Sequence, residues 1–228
     1  MANNPNPERN YRFTDAELAI MGVGLTLPLN RDLSDLEIYG ISNNSIENLN
    51  NFIDDFQALP TDAKLRNDLS FEIENRESAR KLILKILRSI SLRAKSIFGA
   101  NSAKYRSMTP GNISQMTDNN LLAAARQVLD ASQNNAAELE AEGITAGYIL
   151  NFNSAIEAYA EAIDKVVEKK NIRDEGRDIR IQKGNELYAL INKYCSYGKL
   201  IWTDVSPSKY NDYIIYPNQK PRKKETPV

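Results

Sequence analysis

Apolar residues step by three and four along most of this chain, and strict alternation is absent, so the pattern predicts helices and no sheet. Thr14-Asp15-Ala16-Glu17 has the spacing of a capping box and opens a helix through Leu18, Met21 and Leu25. Pro28 is expected to kink or interrupt it before Leu33, Leu36 and Tyr39 resume the pattern. Gly40-Ile41-Ser42 reads as a helix end, a packed-back isoleucine and the cap of a next helix carrying Ile46, Leu49, Phe52, Ile53 and Phe56. Pro60-Thr61-Asp62 breaks that helix, and 62–97 then holds neither glycine nor proline, which predicts one long helix ended by Gly99.

The second half reads alike. Leu121, Leu122, Ala125, Val128, Leu129 and Leu139 predict one helix, and the turn at Gly143 begins the next. Ile149, Phe152, Ile156, Tyr159, Ile163 and Val166 hold a near-heptad register that then meets Lys170, Arg173, Arg177 and Arg180. Charges of that density do not stay in a dry seam, so a turn is expected near 171–176. Leu187, Leu190, Ile191, Tyr194 and Ile201 carry a last helix to Trp202. Residues 99–113 and 203–216 are expected to be extended, the first as a crossover and the second as a strap closing the bundle.

The halves also match residue for residue. Thr14-Asp15 recurs as Thr117-Asp118 and Gly40-Ile41-Ser42 as Gly143-Ile144-Thr145, both at an offset of 103. Lys95-Ser96-Ile97-Phe98 recurs as Lys199-Leu200-Ile201-Trp202 at 104, and Lys104-Tyr105 as Lys209-Tyr210 at 105. The fold expected is therefore all-α: an elongated helical bundle of two tandem related units with extended crossover and closing segments. Its divisions are a flexible N-terminus at 1–13, a first unit at 14–108, a second with its strap at 109–216, and a disordered basic tail at 217–228.

Charge follows the repeat. Residues 31–77 carry four basic and eleven acidic side chains, and 76–106 nine basic and one acidic. Residues 117–164 carry one basic and eight acidic, and 165–200 nine basic and five acidic. Each copy is acidic first and basic later, as expected if such helices lie side by side and neutralise one another. The net charge of −1 over 228 residues makes nucleic acid an unlikely partner of the whole chain.

Gly184-Asn185-Glu186-Leu187-Tyr188, Gly198-Lys199-Leu200-Ile201-Trp202 and Ser208-Lys209-Tyr210-Asn211-Asp212-Tyr213-Ile214-Ile215-Tyr216 follow one another in this order, after Gly143-Ile144-Thr145. With these motifs, residues 14–216 resemble a family of uncharacterised, Bacteroidota-type all-helical proteins. The resemblance implies the helical fold and, that family having no established activity, carries over no functional residue.

The chemistry open to the chain is narrow. It has no histidine and a single cysteine, Cys195, which excludes Ser-His-Asp and Cys-His catalysis, a single-chain tetrahedral zinc site and an internal disulfide. Lone cysteine usage and an N-terminus without a visible secretory signal set the expectation of a soluble, cytoplasmic protein, and no apolar run suits a membrane span. No enzyme activity, cofactor or metal is expected. The function expected is structural or protein-interacting, such as a self-assembling scaffold whose partner is a second copy or another assembly component. Its candidate surface is Phe98, Tyr105, Lys199, Trp202, Tyr210, Tyr213 and Tyr216. Lys95 and Lys199, beside aromatic rings, are a candidate duplicated ligand site, although a lysine stem lying along a ring is the plainer reading. The alternative function is binding of nucleic acid or an anionic surface through the basic helix 76–95 and the tail at 220–224.

Overall fold

The computed structural model describes residues 7–215, and these form helices joined by short turns, with no strand among them. The α-helices in chain order are α1 (Asp15–Arg31), α2 (Leu33–Leu36), α3 (Asn43–Ala58), α4 (Asp62–Phe98), α5 (Ala103–Ser107), α6 (Asp118–Asn134), α7 (Ala136–Glu140), α8 (Ala146–Trp202) and α9 (Pro207–Asn211). Single 3₁₀ turns lie at Glu37–Tyr39 and Ile113–Gln115. No helix among the described residues is long and apolar enough to cross a membrane. Residues 1–6, Tyr216 and the tail at 217–228 lie outside the described residues, so the expectations placed there are not addressed.

Helix starts follow the local chemistry. Thr14 and Glu17 make the reciprocal capping box, Glu17 N–H donating to Thr14 Oγ1 at 3.2 Å and Thr14 N–H to Glu17 Oε2 at 2.7 Å. Thr117 caps α6 by one bond only, accepting from Asn120 N–H at 3.4 Å. The helix ends before the two matched turns use one device. Gly40 and Gly143 have φ of 75° and 76°, a conformation that an added Cβ would strain. The isoleucine after each donates its N–H back to a leucine carbonyl, Ile41 to Leu36 at 3.3 Å and Ile144 to Leu139 at 3.1 Å. Both isoleucines are buried.

Two compact units result: residues 1–61 with 175–228, and residues 62–174. Neither unit is one of the stretches matched in the sequence. The first joins α1–α3 to the C-terminal part of α8 and α9; the second joins α6, α7 and the N-terminal part of α8 to α4 and α5. Each thus holds the opening helices of one copy and the closing helices of the other. The first core contains Leu18, Leu25, Leu49, Ile53, Leu187 and Ile191. The second contains Ile83, Leu87, Leu121, Val128, Phe152 and Ile156. Acidic and basic stretches meet accordingly: in the second unit Arg76 and Arg80 pair with Asp118, and Lys104 with Glu138.

Three expectations change. The turn placed near 171–176 is absent, and α8 is continuous over 57 residues. No residue from 164 to 179 is buried, so the helix needs no apolar face there and its lysines and arginines stay solvated. The crossover and the strap are not wholly extended: Ser102 and Ser206 accept from the amides of Tyr105 and Lys209 and start α5 and α9. The helix expected to span Leu121 to Leu139 breaks at Asn135, whose side chain donates instead to the Ala131 carbonyl at 2.8 Å. Pro28 lies in the last turn of α1, which ends at Arg31 before α2 takes up the pattern again at Leu33.

Candidate functional site

Two of the aromatic residues singled out near the C-terminus, Trp202 and Tyr213, converge on a residue that the pattern did not point to. Asp32, between α1 and α2, has 0% exposure, and its carboxylate collects donors from three directions. Trp202 Nε1 donates to Oδ2 at 3.0 Å and Lys209 Nζ to Oδ1 at 2.9 Å, while Arg31 closes both oxygens at 2.9 and 2.7 Å. The Tyr213 hydroxyl lies 3.0 Å from Oδ2 and 2.9 Å from the Pro28 carbonyl, and its single proton serves one acceptor at a time. Burial alone would raise the Asp32 carboxyl. The hydrogen bonds from Arg31, Lys209 and Tyr213 outweigh it and hold the carboxyl well below the usual range.

The lysines stacked on rings are not those expected. Lys209 Nζ lies 3.7 Å from the Trp202 ring centroid and Lys104 Nζ 5.2 Å from that of Phe98. Neither Lys95 nor Lys199 makes such a contact among the described residues. Tyr213 has 0% exposure and is fixed in the first core, which removes it from any partner surface. Its ring packs where a Gly198 side chain would be, a close approach that only glycine permits. Trp202, Lys199 and Tyr210 are half-buried in the first unit; Phe98 and Tyr105 are half-buried in the second. The candidate surface is therefore split between two units and largely spent on closing them.

A second carboxylate motif recurs at the start of the opening helices. Asp15 accepts from the Tyr11 hydroxyl at 2.9 Å and pairs with Arg180, which also donates to the Leu59 carbonyl at 3.0 Å. Asp118 accepts from the Tyr159 hydroxyl at 2.7 Å and pairs with Arg76 and Arg80 at 3.1 and 2.8 Å. Burial opposes ionisation of Asp118, but Tyr159 and the arginines lower its carboxyl overall. On α4, Arg88 and Arg93 are also committed, Arg88 to the Ser114 hydroxyl and Arg93 to the Gly143 carbonyl and the Tyr148 ring. Cys195 is buried, and burial pushes its thiol up to about 12, with Lys199 opposing weakly. Among the described residues no group of three or more His, Cys, Asp or Glu side chains is arranged to hold a metal.

One helix face carries a row of exposed apolar side chains. Helix α1 buries Leu18, Gly22, Leu25 and Leu29, yet its other face shows Ile20, Val23 and Leu27 at 70%, 52% and 75% exposure. Their spacing of three and four makes one stripe on a face that is normally polar. Beside them Gly24 is open, an added Cβ there meeting nothing within 4 Å. The signal was present in the sequence: α1 is apolar all round, which suits a helix covered on both sides.

Comparison with family models, with curated proteins and with solved structures gives no match. The family resemblance rests on the quoted motifs alone.

Proposed function

We propose that this is a non-enzymatic protein-interaction module that self-associates through the outer face of α1, as a component of a larger scaffold. The exposed Ile20–Val23–Leu27 stripe carries this reading, since apolar side chains in contiguous rows mark contact surfaces. The stripe suits a second copy laid antiparallel. Ile20 and Leu27 lie symmetrically about the step between Val23 and Gly24, so a two-fold axis there sets each against the other's counterpart. Gly24 leaves room for the helices to approach. Antiparallel packing also sets the acidic first turn, with Glu17, toward the basic last turn, with Arg31, and opposes the helix dipoles.

A contact of one helix on one helix, each about 25 Å long, is small, so the association is weak and concentration-dependent. Light scattering after size exclusion tests it. The chain is expected to approach twice its monomer mass as loading rises, and to do so at high salt because the contact is mainly apolar. Leu27→Glu should hold it at monomer mass. A wild-type mass that stays monomeric at every loading, or an oligomer indifferent to Leu27→Glu, overturns the proposal.

A further inference from the structure

In the second unit a cavity of about 340 Å³ opens between α4 and the 105–113 segment. Its apolar lining comes from Leu87, Tyr105, Pro110 and Ile113 together with Leu92, itself 72% exposed, and the Ser91 and Thr109 hydroxyls satisfy each other at 2.9 Å. The charged residues lining it are Arg88 and Lys95, both cationic. Arg88 has a neutral partner, Ser114, and Lys95 has no acidic partner among the described residues. They stand seven residues apart on α4, roughly 10 Å along the axis, a span that two long side chains can close.

The first unit shows that the matched scaffold does not require such a cavity. At the places that correspond to Arg88 and Leu92 it carries Asn192 and Ser196, 104 residues on, and Ile215 stands where the second unit has Pro110, 105 residues earlier. Ile215 and Tyr213 are buried there in the core. In the second unit Pro110 and Ile113 line an open cavity instead, and Arg88 adds a cation to it. A small open cavity with an apolar lining and two cations that lack an acidic partner is complementary to an anion with an alkyl body.

We propose that this cavity binds an amphipathic monocarboxylate with a medium-length alkyl chain, the carboxylate between Arg88 and Lys95 and the chain on Leu87, Leu92 and Ile113. The proposal is independent of the α1 contact, and either can fail alone. The test is calorimetric titration of the full chain with sodium decanoate below its micelle concentration. Acetate serves as the headgroup alone, and decyltrimethylammonium as the same tail with opposite charge. Decanoate should bind saturably at one per chain, while acetate and decyltrimethylammonium give no saturable heat. Arg88→Gln with Lys95→Gln should weaken decanoate by about tenfold or more, and Lys95→Gln alone, at an exposed position, by several-fold. The single variant decides the matter if the double one does not fold. Absent saturation, equal binding of the cationic amphiphile, or an affinity unmoved in Lys95→Gln would each overturn the proposal.

Discussion

Replacing Asp32 by alanine is expected to unfold the first unit more readily by about 2–4 kcal/mol. Breaking a buried ion pair by removing one partner usually costs about 3–5 kcal/mol, because the other charge is left dry. Here two donors have an exit. Tyr213 can give its proton wholly to the Pro28 carbonyl, and Lys209, with a third of its side chain exposed, can turn to water. Arg31 is more exposed still and keeps Asp212 at 2.6 Å, so its share is small. The loss that remains is the hydrogen bond to the Trp202 indole, which is left without an acceptor, together with the charge-assisted bonds to the carboxylate. The assay is equilibrium urea unfolding followed by Trp202 fluorescence, which reports on this unit because the chain has one tryptophan. Repeating the titration by far-ultraviolet circular dichroism for wild type, Asp32→Ala, Trp202→Phe and the double variant isolates the indole bond as a coupling energy. A loss below about 1 kcal/mol for Asp32→Ala would refute the reasoning, since it would mean that the carboxylate is hydrated. The pH dependence has a definite sign. The folded carboxyl is depressed, so its contribution is complete above the unfolded value of about 4 and disappears as pH falls below it. The stability gap between wild type and Asp32→Asn should therefore be flat from pH 7 to about 5 and close at lower pH.

Gly198→Ala should destabilise by about 1–3 kcal/mol, because the new methyl enters the Tyr213 ring, and Tyr213→Leu in the same chain should recover part of the loss in a urea titration. Cys195 should resist thiol reagents in the native protein up to about pH 9 and react at once in denaturant; rapid native labelling would contradict its burial. Residues 62–174 carry a complete core, so that fragment should unfold cooperatively by circular dichroism, whereas residues 14–108 hold parts of both units and should not.

Much of the fold was legible in the sequence because local chemistry specifies it. Thr14 with Glu17, Gly40 with Ile41, and the glycine-free run after Pro60 each act within a few residues, and the helices begin and end where they direct. Continuity of α8 was not legible. Lys170, Arg173 and Arg177 break an apolar register, and periodicity cannot distinguish a solvated stretch of helix from a turn. Nor can a repeat reveal which halves pair: 14–108 and 109–216 match, yet the cores join the opening of each to the closing of the other. Charge held a hint, since an acidic opening can meet a basic closing from either copy. Asp32 was missed because a lone aspartate after a helix end carries no pattern, and its importance arises only when Trp202, Lys209 and Tyr213 arrive from some 170 residues away. The Ile20–Val23–Leu27 face was readable, since the row Leu18, Met21 and Leu25 does not use up the apolar residues of α1.

The most direct measurement is the distance between copies labelled beside α1. A spin label on Glu47→Cys, an exposed position on α3, in a Cys195→Ser background, leaves the α1 stripe and Gly24 untouched. Pulsed dipolar spectroscopy of concentrated protein should then give one narrow distance between copies, lost in Leu27→Glu. A trace without dipolar modulation at concentrations where the chain remains soluble would contradict self-association through α1.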